Sequence, residues 1–263
     1  MSFKALVLAG SRGSLEPVSA YAGVSDKALI EVGGRTTLAR VVDTLRRSGA
    51  DRIWVSTSSE AVRRHAASLG TDAIEAAAGP SASAQQGFAL TGAPLLLTTA
   101  DHALLQPEWI QAFLAAVPAD ADIAPYLARR ETIERDAPTT RRTYLRFADG
   151  DWSGCNLFML ATPAASAALA LWQQVEHDRK RPWRIVRRLG PLPLLNYALG
   201  RFTLAAALSD IGERVGVRAR LVESPFGLAA IDVDKPADLD LVRELIGHGS
   251  PALPPIADSA CAY

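Results

Sequence analysis

The feature that most constrains this chain is the alternation of short apolar runs with helical patterns through its first 117 residues. Residues 3–8, 52–57 and 94–99 are short and apolar and stop at small or polar residues, which is typical of buried strands. The apolar residues from Leu38 to Leu45 recur at i, i+3, i+4 and i+7, which predicts an amphipathic helix between two of these strands. This order favours a doubly wound, mostly parallel sheet.

The predicted sheet also indicates where a ligand binds. In such sheets, ligands lie at the carboxyl ends of the strands, near the point where the strand order reverses. Gly10 follows the first strand and Asp101 follows the strand 94–99, so we expect both at the same edge. The fold class predicted is α/β, a Rossmann-like three-layer α/β/α arrangement with a mostly parallel central sheet and a helical insertion.

The loop after the first strand has the composition of an anion-binding loop. Backbone N–H groups of a small-residue loop after a strand bind phosphate, and nearby basic side chains add fixed positive charge. The alternative is an ordinary turn with incidental basic residues. The residues that we expect to take part are Leu8, Ala9, Gly10, Ser11, Arg12 and Gly13, with Lys27 after the loop.

Overall composition limits the function classes. The chain has 263 residues, 28 basic and 28 acidic side chains and no formal net charge, which argues against nucleic acid as a partner. Its hydrophobic content of 49% suffices for a substantial core. Cys155 and Cys261 have no metal-type spacing and suggest a reducing compartment. Because no leader or long apolar stretch precedes the first strand, we expect a cytoplasmic protein.

The second half of the chain departs from this alternation. We predict one domain over residues 1–246, with a helical insertion at 161–215 near the acceptor site and a flexible tail at 247–263. Residues 179–188 contain six basic side chains and no acid. They are either a solvated helix face, or a docking site for an anionic or lipid-linked acceptor with peripheral membrane contact, or a nucleic-acid site, which the neutral total charge disfavours.

Three stretches in this order resemble the nucleotidyltransferases of the molybdenum-cofactor guanylyltransferase-like (MobA-like) NTP transferase superfamily. They are Leu8-Ala9-Gly10-x-Arg12 continued through Asp26-Lys27 to Gly33-Gly34, then Leu97-Thr98-Thr99-Ala100-Asp101, then Ile231-Asp232-Val233-Asp234-Lys235-Pro236-Ala237-Asp238-Leu239. The chain departs from the superfamily pattern in lacking a second glycine directly after Gly10 and in having Lys235 in place of threonine. These departures bear on the substrate more than on the type of reaction.

The resemblance implies Mg²⁺-dependent transfer of a nucleoside monophosphate from an NTP to a phosphorylated acceptor, with release of pyrophosphate. Arg12 would hold the triphosphate, and Lys27 would neutralise oxygens near the α-phosphorus. Asp101 and Asp234 would hold Mg²⁺, with Asp232 as a possible substitute. The alternatives are that Asp101 only starts the following helix and that Asp234 only caps the last one.

The same resemblance assigns the rest of the cavity. Gly79, Pro80 and Ser83 occupy the place where related enzymes contact the base, the alternative being a plain turn and helix cap. Gly154 and Asn156 occupy a stretch that lies near the acceptor in this superfamily, the alternative being a strand bulge at Gly154. The base is not readable from these residues. The acceptor is expected to be a molybdenum cofactor, a cobinamide phosphate, a sugar 1-phosphate or a polyol phosphate of lipid-headgroup synthesis.

Two rival functions remain open on the sequence. A nucleotide-sugar glycosyltransferase with a related core commonly carries Asp-x-Asp after the strand that here ends in Asp101-His102-Ala103, so this run argues against it. A non-catalytic nucleotide-sensing domain is disfavoured by the presence of Arg12 and Lys27 together with the carboxylates. The reaction products separate the first rival, since a glycosyltransferase releases a nucleoside diphosphate.

Overall fold

A central sheet organises the protein, seen here in a computed structural model that describes residues 3–10, 16–178 and 201–247. The strand order is β10-β7-β9-β6-β1-β4-β5, with β8 paired to β9. Every pairing in this sheet is parallel except those of β9, which runs antiparallel to its neighbours. The predicted α/β class with a mostly parallel sheet is confirmed. The strands are β1 Phe3–Leu8, β2 Glu31–Val32, β3 Arg35–Thr36, β4 Ala50–Thr57, β5 Asp72–Glu75, β6 Leu95–Thr99, β7 Ile123–Arg129, β8 Leu145–Phe147, β9 Gly150–Leu160 and β10 Val222–Ser224, of which β2 and β3 form a separate hairpin.

Three helices begin at residues that favour a helix start. Thr36 and Ser59 accept hydrogen bonds from the backbone of the first turns of α2 and α3, and Pro107 starts α5. No helix within the described ranges is both long and apolar enough to cross a membrane. The helices are α1 Pro17–Ala22, α2 Thr37–Arg47, α3 Glu60–Ser68, α4 Pro80–Thr91, α5 Pro107–Ala116, α6 Arg130–Asp136, α7 Ala165–Asp178, α8 Leu204–Arg214 and α9 Pro236–Gly247.

Two apolar layers cover the two faces of the sheet. On β1, Ala5 and Val7 face a cluster that includes residues of α2, α5 and α9, whereas Leu6 faces a cluster with α4 and α7. This alternation is the period-two pattern of a strand buried on both faces. A Cβ atom at Gly87 would lie 2.3 Å from Leu6 Cδ2, so this glycine permits α4 to lie directly on β1. That close approach places the start of α4 at the carboxyl edge of the sheet.

Three further predictions from the sequence are wrong: a long loop over residues 11–25, turns in the charged stretch 129–142, and a short strand over residues 229–232. Residues 17–22, expected to be loop, form α1, because Pro17 begins a short helix that Gly23 ends in the left-handed conformation. The charged stretch 129–142, expected to be turns, contains α6, which has one buried apolar residue, Ile133, and hence no apolar period to detect. Of residues 229–232, expected to be a strand, the first two belong to a 3₁₀ turn at Gly227–Ala230, and the other two pair with none of the described strands.

Asp122, at the amino end of β7, joins three parts of the chain. Its carboxylate accepts hydrogen bonds from the backbone N–H of Arg218 at 2.9 Å and from Nε of the same residue at 3.0 Å. The Thr162 hydroxyl donates to it at 2.7 Å. Hydrogen bonds from the Arg218 side chain and backbone, together with that from Thr162, lower the pKa of this carboxyl well below its usual value of 3.8.

We expect Asp122→Asn to lower the free energy of unfolding by about 1–3 kcal/mol at neutral pH, because it removes charged hydrogen bonds from a buried site. A depressed folded-state pKa contributes stability above the unfolded value of 3.8, and that contribution is lost as the pH falls through the folded pKa. The loss of stability on acidification should therefore be shallower in the variant than in wild type.

Urea unfolding at a neutral and an acidic pH measures both effects. Asp120→Asn is the matched control, since Asp120 makes an exposed ion pair with Arg220 and its loss should change little. An identical acid dependence in wild type and Asp122→Asn would contradict the assignment.

Candidate active site

A cavity of about 640 Å³ opens at the carboxyl edge of the sheet. The ends of β1 and β6 form its floor, and β1 is where the strand order reverses, as expected for a ligand site in this type of sheet. Its walls come from the loop before α4, from β9 and from the segment before α9. The lining residues are Leu8, Ala9, Gly10, Glu16, Asp26, Lys27, Ala28, Ser56, Ser58, Ala76, Ala77, Ala78, Gly79, Pro80, Ser83, Thr99, Ala100, Asp101, Asn156, Asp232 and Asp234.

Lys27 lies between two carboxylates from distant parts of the chain. Its Nζ is 2.9 Å from Asp101 Oδ2 and 2.8 Å from Asp234 Oδ1, and Glu16 Oε2 is 3.6 Å away. A 3₁₀ turn at Lys27–Leu29 carries the lysine, and the Thr37 hydroxyl holds this turn by donating to the Lys27 carbonyl at 2.9 Å. Burial alone would lower the pKa of Lys27, but Asp101 and Asp234 reverse this and raise it, so the side chain is an ammonium.

Asp101 lies two residues after the end of β6 and is more enclosed than Asp234. One oxygen accepts from Lys27, while Oδ1 is buried without a hydrogen-bond partner among the described residues. Burial raises the pKa of Asp101, Lys27 opposes this, and Asp232 adds to it. The Asp101 carbonyl accepts a hydrogen bond of 3.0 Å from the backbone of Val233, which attaches the segment before α9 to the end of β6.

Asp232 and Asp234 face different partners. Asp234 is 61% exposed and binds Lys27, whereas the cap of α9 is Asp238, which accepts from the backbone of Asp234 and Lys235. Asp232 is buried and uses both oxygens, one with Arg142 Nη1 at 2.5 Å and the other with Asn156 Nδ2 at 2.6 Å. Burial would raise the pKa of Asp232, but its hydrogen bonds and the Arg142 charge lower it.

The start of α4 forms the opposite wall of the cavity. Ser83 Oγ accepts a hydrogen bond of 3.0 Å from the backbone of Ala77, which holds the small-residue loop against the helix. No side chain of its own caps α4 at Gly79. Instead, Glu176 from α7 accepts from the backbone N–H of Ser81 at 3.1 Å and from the Ser81 hydroxyl. The first turn of α4 is therefore capped by a carboxylate from another helix.

Most of the residues expected at the site line this one cavity. Gly154 is exposed and does not line it, and it pairs with Leu127 beside a register shift in β9. Ser11, Arg12, Gly13 and the basic segment 179–188 lie outside the described residues. The residues brought together are Leu8, Ala9, Gly10, Lys27, Gly79, Pro80, Ser83, Asp101, Asn156, Asp232 and Asp234.

Sequence reasoning missed four charged residues at or beside the cavity. Asp26 was available in the Asp26-Lys27 pair, and its carboxylate accepts from the hydroxyls of Ser25 at 2.7 Å and Ser59 at 2.8 Å. No sequence motif contains Glu16, Arg142 or Glu176. Each reaches the site because a segment distant in sequence packs there. Their positions were not readable from the sequence.

Comparison with solved structures gives the same architecture. A hypothetical transferase from Thermus thermophilus is 27% identical, with a TM-score of 0.77 over 91% of this chain and 100% of the other. A CMP:2-keto-3-deoxy-manno-octonic acid synthetase complexed with CTP is 16% identical, with a TM-score of 0.58 over 94% and 99%. A 2-C-methyl-D-erythritol 4-phosphate cytidylyltransferase, also from Thermus thermophilus, is 17% identical, with a TM-score of 0.52 over 93% and 98%.

Sequence comparison identifies the family. No curated protein matches the chain. The sequence profile of the MobA-like NTP transferase domain matches residues 5–220, which is most of the chain and includes Lys27, Asp101 and Asn156. The chain therefore belongs to the MobA-like NTP transferase domain family and is a nucleotidyltransferase.

Proposed function

We propose that this enzyme transfers a nucleoside monophosphate from an NTP to a phosphorylated acceptor, with Mg²⁺, and releases pyrophosphate. The observation that carries the proposal is the Lys27 ammonium held between Asp101 and Asp234 in the cavity. An ammonium between one carboxylate after β6 and another in the segment before α9 is suited to polyphosphate and a divalent cation together. The acceptor phosphate is already ionised at neutral pH, so the reaction needs alignment and charge neutralisation more than a general base.

The charge of the cavity supports a metal-bound substrate. Among the described lining residues, five are acidic, namely Glu16, Asp26, Asp101, Asp232 and Asp234, and Lys27 is basic. A triphosphate alone would be repelled by this lining. Additional positive charge is required, and we propose that Mg²⁺ and Arg12 supply it.

The carboxylates fit Mg²⁺ in number and position. Asp101 Oδ1 is a buried oxygen with no protein partner within the described ranges. Asp234 Oδ1 lies 2.8 Å from the Lys27 ammonium, which Asp101 also contacts. Those ranges contain no group of three His, Cys, Asp or Glu residues able to hold a metal by themselves. Mg²⁺ usually takes one or two carboxylates plus phosphates and water, so Asp101 and Asp234 would suffice. When bound, the ion would neutralise charge on the phosphates.

The chain's own residues then account for the transfer. An oxygen of the acceptor phosphate attacks the α-phosphorus in line, a new P–O bond forms, and the bond between the α-phosphorus and the bridging oxygen breaks to release pyrophosphate. Lys27 acts as a fixed cation, since its raised pKa keeps it protonated. Gly79, Pro80 and Ser83 would position the base, and Asn156 would contact the acceptor.

Domain organisation, location and further partners complete the proposal. We propose that residues 161–215 form an insertion on one domain and that α7 within it supports the base-binding wall through Glu176. The cytoplasm, where NTPs are plentiful, is the proposed location. We propose no nucleic-acid partner, and we keep residues 179–188 as the candidate segment for docking an anionic or lipid-linked acceptor with peripheral membrane contact.

A pyrophosphate-release screen tests the function. Four NTPs are combined with Mg²⁺ and a panel of sugar 1-phosphates, polyol phosphates, cobinamide phosphate and molybdenum cofactor. We expect one NTP to raise the unfolding temperature with Mg²⁺ and to release pyrophosphate only with its acceptor. A nucleoside diphosphate product would instead indicate glycosyl transfer, and NTP binding without any product across the panel would favour a sensor. No stabilisation by any NTP would refute the proposal.

Lys27→Met should reduce transfer by roughly 100-fold or more, because it removes fixed charge aimed at the phosphates and leaves Asp101 and Asp234 facing each other. Lys4→Met is the matched control, since Lys4 lies at the opposite end of β1 and donates to the carbonyl of Ala93. Initial rates of pyrophosphate release, with circular dichroism to verify folding, measure the effect. Equal rates for the two variants would exclude Lys27 from the reaction.

Glu176→Ala should raise the KM for the NTP by about fivefold and leave the KM for the acceptor unchanged, since the first turn of α4 loses a charged cap. Gln174→Ala, at an exposed position on the same helix, is the control. Steady-state kinetics with each substrate varied in turn separates the two constants. A change confined to the acceptor KM would place α7 on the other side of the cavity.

A further inference from the structure

Strand β9 departs from regular pairing at the point where it reaches the cavity. Pro125 of β7 pairs with Phe158, whereas Leu127 pairs with Gly154. The three residues 155–157 therefore lie opposite the single residue 126. Such a bulge redirects side chains and occurs often beside active sites. Here it turns Asn156 into the cavity, which this residue lines.

Asn156 has an unusual backbone conformation within this bulge. Its φ is 51°, and among the described residues no other non-glycine residue has a positive φ. Asparagine tolerates the left-handed region better than most residues, but a strand interior does not ordinarily require it. Strain of this kind persists only where surrounding contacts hold it, and it concentrates at functional sites.

Two further residues hold the Asn156 side chain. Its Nδ2 donates to Asp232 Oδ2 at 2.6 Å, and Arg142 Nη1 donates to Asp232 Oδ1 at 2.5 Å. An ionised carboxylate only accepts hydrogen bonds, so the amide must present its NH₂ group to Asp232. The amide Oδ1 is left without a donor among the described residues.

Arg142 is held in place by its own burial and by the contacts of the surrounding segment. Its side chain is 12% exposed, and its Nε is buried without a hydrogen-bond partner in the described part of the chain. The strap, defined as residues 138–144, is also bound at the preceding position, where the Arg141 carbonyl accepts a hydrogen bond from Lys235 Nζ at 3.0 Å. The only contact that the Arg142 guanidinium makes with a described carboxylate is with Asp232.

We infer that Arg142 is a positioning residue that acts through Asp232 to hold the Asn156 amide, with its oxygen free to accept a hydrogen bond from the acceptor substrate. This inference rests on the proposed function for the identity of the acceptor. It assigns Asp232 to acceptor binding, so the metal-holding role falls to Asp101 and Asp234. The group recognised by Asn156 is a hydroxyl or N–H donor of the acceptor, because the free amide oxygen can only accept hydrogen bonds.

Nuclear magnetic resonance tests this arrangement without any substrate. The sequence contains two asparagines, Asn156 and Asn196, so selective ¹⁵N-asparagine labelling gives two pairs of side-chain amide signals. Asn156→Gly, which permits the positive φ, assigns the pair that disappears. In wild type one Asn156 amide proton should be protected from solvent exchange by its bond to Asp232.

Arg142→Met should speed the exchange of that proton by about tenfold or more, since Asp232 loses the partner that fixes it. Arg141→Met is the matched control, because the Arg141 side chain is exposed and, among the described residues, Arg141 is bound through its backbone carbonyl alone. Arg142→Lys, which keeps the charge, should restore part of the protection and serves as the second variant if Arg142→Met does not fold. Unchanged exchange in both Arg142 variants would overturn the inference.

Kinetics with the acceptor from the pyrophosphate screen provides the second readout. Arg142→Met should raise the KM for the acceptor about tenfold while the KM for the NTP stays within about twofold. A purely structural role would lower kcat through loss of active enzyme and leave both KM values alone, which would also overturn the inference. Failure of wild type to bind any NTP would refute the proposed function, while the exchange measurement still decides the role of Arg142.

Discussion

The ammonium of Lys27 between Asp101 and Asp234 is the interaction on which the site depends. A buried charge is unfavourable unless it is paired, and these carboxylates come from the end of β6 and from the segment before α9. The hydrogen bond from Val233 to the Asp101 carbonyl fixes the second segment to the first. The site therefore forms only when the two ends of the chain close on the central strands.

The antiparallel strand β9 gives the cavity its asymmetry. At the carboxyl ends of parallel strands, backbone groups and short side chains face the cavity, an arrangement suited to binding phosphate and a metal ion. Because β9 runs the other way, it crosses this edge in mid-strand, and its bulge turns Asn156 toward the cavity. Arg142 and Asp232 then neutralise each other beside that amide, while Asp234 remains with Lys27. Two aspartates two residues apart thus have different surroundings.

Much of the fold was predictable because its signals are local. Strands β1, β4 and β6 follow from short apolar runs, the start of α2 from a capping threonine, and the start of α5 from a proline in its first turn. α6 and the turn at Gly227–Ala230 were not predictable, since neither has an apolar period. Their structure depends on tertiary contacts, such as the bond from Gly227 N–H to Asp136 at 2.7 Å. The same holds for the candidate site. Residues that belong to sequence motifs were predicted, whereas partners outside any motif, such as Arg142 and Glu176, were missed.

The sequence by itself determined the family, the α/β alternation and the residues that gather at the carboxyl edge of the sheet. These depend on residue type and spacing, which are local properties. Only the tertiary structure separated Asp232 from Asp234, because both carboxylates follow the same motif and differ only in what packs against them. It also brought Arg142 to Asp232 and Glu176 to α4, contacts 90 and 95 residues apart in sequence that no local pattern encodes.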